Sequence, residues 1–171
     1  VKNIGDTWGG INLEDTKSPE CFVIESALQD LLDIPVFHDD QHGTAIISTA
    51  GLINACHITG RKLEDVKVVL AGAGAAGLSS IGLMKAAGVR AENTVIVDRD
   101  GVIYKGRENI DQWKAAHATD TPHRTLAEAM VGAEGEADNV WNDQADKSDH
   151  PAECHGYTNH EGTEDNHPAF D

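Results

Sequence analysis

Three glycines in the spacing Gly72-x-Gly74-x-x-Gly77 stand between an apolar run over residues 66–71 and a helix-patterned segment over 78–87 that is closed by Gly88. Asp98 ends the next apolar run, residues 94–97, and lies 21 residues after Gly77. A strand, a glycine turn, a helix and a distal acid in that order form the dinucleotide-binding fingerprint. Gly72 permits the tight turn, Gly74 lets the backbone approach a pyrophosphate, and Gly77 lets the helix pack closely on the strand, with Ala73, Ala75 and Ala76 completing the turn. The free N–H groups and positive end of the helix would receive the phosphates, and Asp98 would accept hydrogen bonds from ribose hydroxyls. A glycine turn in an α/β sheet without a nucleotide has the same pattern. Arg99 keeps both NAD and NADP open, because a carboxylate repels a 2′-phosphate while an adjacent guanidinium pairs with it.

A second group is acidic. Glu14 and Asp15 follow the Gly9-Gly10 turn, and Asp39 and Asp40 end a short apolar run over residues 34–37. Clustered carboxylates repel one another unless a cation or a buried proton relieves them, and all-oxygen donors suit hard cations such as Mg²⁺ or Mn²⁺. Solvated loop acids are the plain alternative. His38 and His42 raise zinc, but Pro35 and the loop composition argue against a helix presenting both on one face, which favours two lone polar histidines. His150, Cys154, His155, His160 and His167 near the C-terminus match no Cys/His metal spacing.

The elements that must position these groups alternate between strands and helices. Ser18-Pro19 reads as an N-cap and first helical residue, followed by an apolar stripe of Cys21, Ile24, Leu28, Leu31 and Leu32. A strand over 34–37 leads into the polar cluster 38–44, then a helix over 44–57 stops near Gly60. Residues 66–71, apolar almost throughout, read as a strand covered on both faces of a parallel sheet. An extension strand over 102–105, a helix over 110–118 and a capping box of Thr125 with Glu128 complete this part.

The chain has 171 residues and a net charge of −16. Residues 1–133 hold 12 basic and 18 acidic side chains (net −6), and residues 134–171 hold 1 and 11 (net −10). The last 38 residues have no Leu, Ile or Met, so they bury too little apolar surface to offset the entropy of ordering and read as a disordered acidic tail. The acid excess argues against nucleic acid and anionic membranes as partners, and no apolar run approaches the ~20 residues of a bilayer span. Three separated cysteines without a CxxC suit a reducing compartment. A soluble cytoplasmic protein is the reading, and the initial Val1 suggests a processed chain or a fragment.

The segments "GGINLED", "SPECFVIE" and "DIPVFHDDQHGTA", then "LEDVKVVLAGAGAAG" and "VDRDGVIYKGR", resemble the central part of malic enzyme, closest to the bacterial and archaeal type, over about residues 4–133. By motif position the resemblance implies Glu14, Asp15 and Asp40 as divalent-metal ligands and Asp39 as a supporting acid, beside the NAD(P) site read above from residues 72–77 with Asp98 and Arg99. It implies oxidative decarboxylation of malate to pyruvate and CO₂, with the metal acting as Lewis acid, and a homo-oligomer for the complete enzyme. The family's acid–base tyrosine and lysine, and an arginine that holds malate, lie upstream of the metal segment, so no residue here is assigned those roles. The fold expected is α/β: a Rossmann-type, doubly wound parallel sheet over 61–133, preceded by part of a substrate and metal domain over 1–60 and followed by the tail over 134–171. A non-catalytic dinucleotide- or metal-binding module and another Rossmann dehydrogenase, such as an amino-acid dehydrogenase, are the alternatives.

Overall fold

Four consecutive apolar residues, Val68–Ala71, form the strand around which the rest is arranged. The computed structural model describes residues 1–5, 7–132 and 141–142. In chain order the elements are α1 (Lys2–Gly5), β1 (Ile11–Leu13), α2 (Glu20–Leu31), β2 (Val36–His38), a π-turn (Asp39–Gly43), α3 (Thr44–Thr59), β3 (Val68–Ala71), α4 (Ala75–Ala87), β4 (Thr94–Asp98), β5 (Gly101–Val102), α5 (Gln112–Ala115), α6 (Leu126–Met130) and β6 (Trp141–Asn142).

Strand side chains alternate between faces, and here both faces are covered. Val68, Leu70 and Ile96 pack with Leu78, Ile81 and Met84 of α4 and with Leu52 and Cys56 of α3. Val69, Val95, Val97 and Val102 pack on the other face with Ala129 of α6. This explains why β3 and β4 lack the polar alternation of a half-buried strand. Each fully buried Leu or Ile contributes about 1.5–3 kcal/mol. The α3 residues in this core come from the N-terminal side of the boundary expected near residue 60.

The main sheet has the order β5-β4-β3-β6. β3 pairs in parallel with β4 and β6, and β5 is an antiparallel edge on β4. The chain steps outward from β3 through β4 to β5, then returns to the other side of β3, so the order reverses beside β3. Ligands bind at such a switch point, outside the carboxyl ends of the strands. A second, two-stranded parallel sheet pairs β1 with β2, with Leu13 opposite His38.

Several expectations hold. α3 ends at Gly60 in the left-handed region with φ 70°, and Thr125 and Glu128 form both halves of the capping box on α6. Others are corrected. Ser18 does not cap α2, which starts at Glu20 with Pro19 at the cap position. The Lys17 carbonyl instead accepts from the Cys21 N–H at 2.9 Å. Ile24 and Leu31 are exposed, because α2 turns Cys21 and Glu25 inward instead. The helix expected over 110–118 is confined to α5, since the N–H groups of His117 and Ala118 bond three residues back and tighten the chain. Trp141–Asn142 lies within the expected tail, yet pairs with Leu70–Ala71 as a strand. The remainder of that tail, with its histidines and Cys154, lies outside the described residues.

Candidate dinucleotide and metal site

The turn after β3 is built by backbone geometry alone. Gly72 has φ 120°, a region that favours glycine, and its N–H donates to the Val97 carbonyl at 2.8 Å, tying the turn to β4. A Cβ on Gly77 would sit 2.5 Å from the Gly72 carbonyl oxygen and 3.0 Å from Leu70 Cδ2, so only glycine lets α4 approach the strand this closely. α4 begins at Ala75, three residues earlier than the periodicity indicates, with Gly74 at its N-cap. The Gly74 carbonyl accepts from the Leu78 N–H at 3.0 Å. The N–H groups of Ala75, Ala76 and Gly77 therefore open a helix without an intrahelical acceptor. Ala73 to Ala76 are half-buried at the carboxyl end of β3, the place where a pyrophosphate is received.

Asp98 ends the neighbouring strand, as expected, but its carboxylate is already engaged. Oδ1 accepts from Arg107 Nη2 at 2.8 Å and from the Asp100 N–H at 3.0 Å, and Oδ2 accepts from Lys114 Nζ at 3.1 Å. Burial pushes its pKa up, while the hydrogen bonds from Arg107, Lys114 and the Asp100 amide outweigh that and hold it below the ordinary carboxylate value. Two cations from later in the chain, Arg107 and Lys114, thus fold back onto the residue expected to meet the ribose. Arg99 is exposed beside it.

The two acidic segments come together through strand pairing. β1 and β2 run side by side, so the residues leaving their ends are neighbours, and the Asp15 N–H donates to Asp40 Oδ2 at 2.8 Å across 25 residues of sequence. Asp15 takes φ 56°, which turns its backbone toward Asp40. Glu14 Oε1 accepts from Asn12 Nδ2 at 2.9 Å. Asp39 folds back over Gly43, where any Cβ would collide with its carboxylate, and its charge faces the start of α3, where the helix dipole favours an anion. Among the described residues no three His, Cys, Asp or Glu side chains converge as a metal cage.

Residues 39–43 are helical, contrary to the loop expected there, but the turn is of the wide π type and the two histidines have different surroundings. His38 is fully buried at the end of β2, and neither ring nitrogen has a hydrogen-bond partner among the described residues. His42 Nε2 lies 2.7 Å from Glu25 Oε1. The sequence reading missed Glu25, Arg107 and Lys114. A single acid inside an otherwise apolar helical stripe was the one available signal for Glu25.

A parallel sheet with a glycine turn at its switch point defines a dinucleotide-binding α/β domain. Residues 41–135 match the family model "Malic enzyme, NAD binding domain". The chain is 56% identical over 135 residues to the NADP-dependent malic enzyme of Rhizobium meliloti, covering 78% of this chain and 18% of that protein. It is 56% identical over 134 residues to the NADP-dependent malic enzyme of Halomonas elongata, covering 78% of this chain and 32% of that protein. Rhizobium meliloti also has an NAD-dependent malic enzyme 48% identical over 135 residues. Among solved structures, the malic enzyme of Entamoeba histolytica superposes with TM-score 0.72 at 36% identity, over 78% of this chain and 29% of that one. The chain belongs to the malic enzyme family, which sets aside an amino-acid dehydrogenase. It spans 18% and 32% of the length of the first two relatives.

Proposed function

We propose that the protein oxidatively decarboxylates malate to pyruvate and CO₂ with NADP and Mg²⁺ or Mn²⁺, and that this chain supplies the dinucleotide turn and the carboxylates for the cation. The observation that carries this reading is the Asp15–Asp40 contact. It joins the two acidic segments that a glycine turn alone leaves unexplained. The donor set fits a hard divalent ion: it is all oxygen, and Asp40 is already drawn to the backbone of Asp15. Glu14, Asp15 and Asp40 would hold the ion, and Asp39 supports the turn that carries Asp40. When bound, the dinucleotide supplies a hydride acceptor and the cation a Lewis acid. The chain's own part is to orient. Residues 72–77 offer N–H groups to phosphates, Gly72 and Gly77 fix the turn's approach to the strand, and the three carboxylates hold positive charge beside the site.

The cofactor choice follows from charge around Asp98. Arg107 and Lys114 neutralise it, and Arg99 adds a further exposed cation, against Asp98 and the exposed Asp100. That excess of positive charge favours a 2′-phosphate over a bare ribose. Malate and pyruvate are then the small-molecule partners, with self-association of the complete enzyme and a cytoplasmic location. No helix among the described residues is long and apolar enough to cross a membrane.

Titration calorimetry with NADP and NAD tests the cofactor assignment. NADP binds more tightly than NAD, and Arg107→Met narrows the ratio by about tenfold, the ~1.4 kcal/mol expected for loss of a charge-assisted contact. Equal affinity for both cofactors in the unsubstituted chain would overturn it.

A further inference from the structure

Glu25 is the only buried acidic side chain among the described residues. It sits in the middle of α2, and its two oxygens face donors from two different elements. Oε1 lies 2.7 Å from His42 Nε2 and 3.4 Å from Gln29 Nε2, and Oε2 accepts from Gln41 Nε2 at 3.2 Å. Gln29 Nε2 also donates to the Val36 carbonyl at 3.1 Å. The network therefore grips the chain on both sides of Asp40: at Val36, where β2 begins, and at Gln41 and His42, which follow Asp40 directly. Gln41 is itself buried.

The segment being gripped is the π-turn Asp39–Gly43. Such turns are rare, are less favourable than an α-helix, and recur at functional sites, so a π-turn needs side-chain anchors to hold its shape. A buried carboxylate is also a costly residue for packing alone. An apolar side chain of similar volume fills such a place at equal or better stability, whereas a carboxylate fixes the direction of the groups it bonds. The turn's direction decides where Asp40 points, and Asp40 Oδ2 already accepts from the Asp15 N–H.

We infer that Glu25 is a positioning residue for Asp40: through Gln41 and His42 it sets the π-turn so that the Asp40 carboxylate meets the Asp15 segment and takes a divalent cation there. This rests on the metal reading above. Glu25 does not touch the cation. Partners that orient metal ligands in this way typically affect affinity 10–100-fold.

The test uses the full chain, with Mn²⁺ alone as the probe and the Asp15 amide proton resonance in metal-free protein as a second readout. Glu25→Met keeps the volume and removes the oxygens. It lowers Mn²⁺ affinity about 10–100-fold and shifts the Asp15 amide proton upfield, in the direction of Asp40→Asn, while NADP affinity stays unchanged. Glu25→Gln keeps an acceptor for Gln41 and a group to meet His42, and restores both readouts to near the unsubstituted values. If Glu25→Met does not fold, Glu25→Asp decides, since it keeps the charge but withdraws from the turn. It shifts the amide proton and weakens Mn²⁺ several-fold. Unchanged Mn²⁺ affinity and an unchanged Asp15 amide in Glu25→Met, or in Glu25→Asp where that variant decides, would overturn the inference. So would a Glu25→Gln chain as impaired as Glu25→Met, which would make the effect one of charge rather than position. If Asp40→Asn leaves Mn²⁺ affinity intact, it is the metal reading that fails. The metal-free Asp15 amide then decides the positioning of Asp40 by itself, a shift in Glu25→Met supporting it and no shift overturning it.

Discussion

On the function proposed above, the glycine turn at the end of β3 and the acidic edge at the ends of β1 and β2 would each hold a charged ligand, by opposite means. At residues 72–77 the binding groups are backbone N–H donors. Their positions follow from a positive φ at Gly72, the Gly72–Val97 hydrogen bond and the missing side chain at Gly77. At the acidic edge the binding groups are side-chain carboxylates. They are neighbours through strand pairing, they do not converge among the described residues, and the π-turn that carries Asp40 is tied to Glu25 of α2 through Gln41 and His42. A backbone-built site is complete once the fold is, whereas a carboxylate site is completed by its counter-charge. The two regions should therefore respond differently to substitution.

The largest effect falls where site and fold coincide. Gly77→Val drives its Cβ and methyl groups into the Gly72 carbonyl and Leu70, and overpacking of this kind costs about 1–3 kcal/mol or more. The melting temperature drops by about 2–4 °C per kcal/mol for a chain of this size, and dinucleotide binding is lost with the turn. A thermal melt and a titration check both. A normal melt with intact binding would show that the close helix–strand approach is not needed. The acidic edge shows the reverse. Asp40→Asn, which removes the charge of a proposed ligand, lowers Mn²⁺ affinity by at least the ~10–100-fold typical of losing a ligand's outer partner while the melt and NADP binding stay as they are, as equilibrium titration would register.

A smaller effect separates Asp98 from both. Because its folded pKa lies below the ordinary carboxylate value of 3.8, its contribution to stability is present above that value and is lost as pH falls through the lower folded one. Replacing it by Asn removes that contribution, so urea midpoints for Asp98→Asn change less than those of the unsubstituted chain between neutral pH and pH 3. Identical pH profiles would mean that Arg107 and Lys114 do not hold the carboxylate. The smallest effect is Thr125→Ala, which removes the side-chain acceptor for the Glu128 N–H. It costs about 1 kcal/mol and leaves both affinities unchanged.

What was legible in the sequence divides along the same line. Consecutive contacts leave local signatures. The unbroken apolar run of β3, the Gly72-x-Gly74-x-x-Gly77 spacing, the Gly60 stop and the Thr125–Glu128 box each declare a backbone requirement, and each is found in the structure. Contacts between distant residues leave none. Arg107 and Lys114 reach Asp98 from 9 and 16 residues away, and Glu25 reaches the π-turn from another helix, so neither partnership has a spacing to read. The apolar stripe expected on α2 holds only in part, at Cys21, Leu28 and Leu32, for the same reason. Periodicity finds a helix, but which residues turn inward is set by what the helix packs on, and here Glu25 faces in while Ile24 and Leu31 face out. The acidic residues were placed by resemblance, and strand pairing then accounts for how Asp15 and Asp40 meet.

On the proposed function, residues 72–77 hold the dinucleotide's phosphates through backbone N–H groups. Gly74 offers the cleanest test, because its φ of −82° and ψ of −173° are open to any residue and Gly74→Val adds bulk at the phosphate approach without straining the chain. Calorimetric titration of NADP into the unsubstituted and Gly74→Val chains, with and without Mn²⁺, measures this directly. The unsubstituted chain binds NADP in both conditions, and Gly74→Val loses binding at an unchanged melting temperature. Equal NADP affinity in the two chains would contradict it.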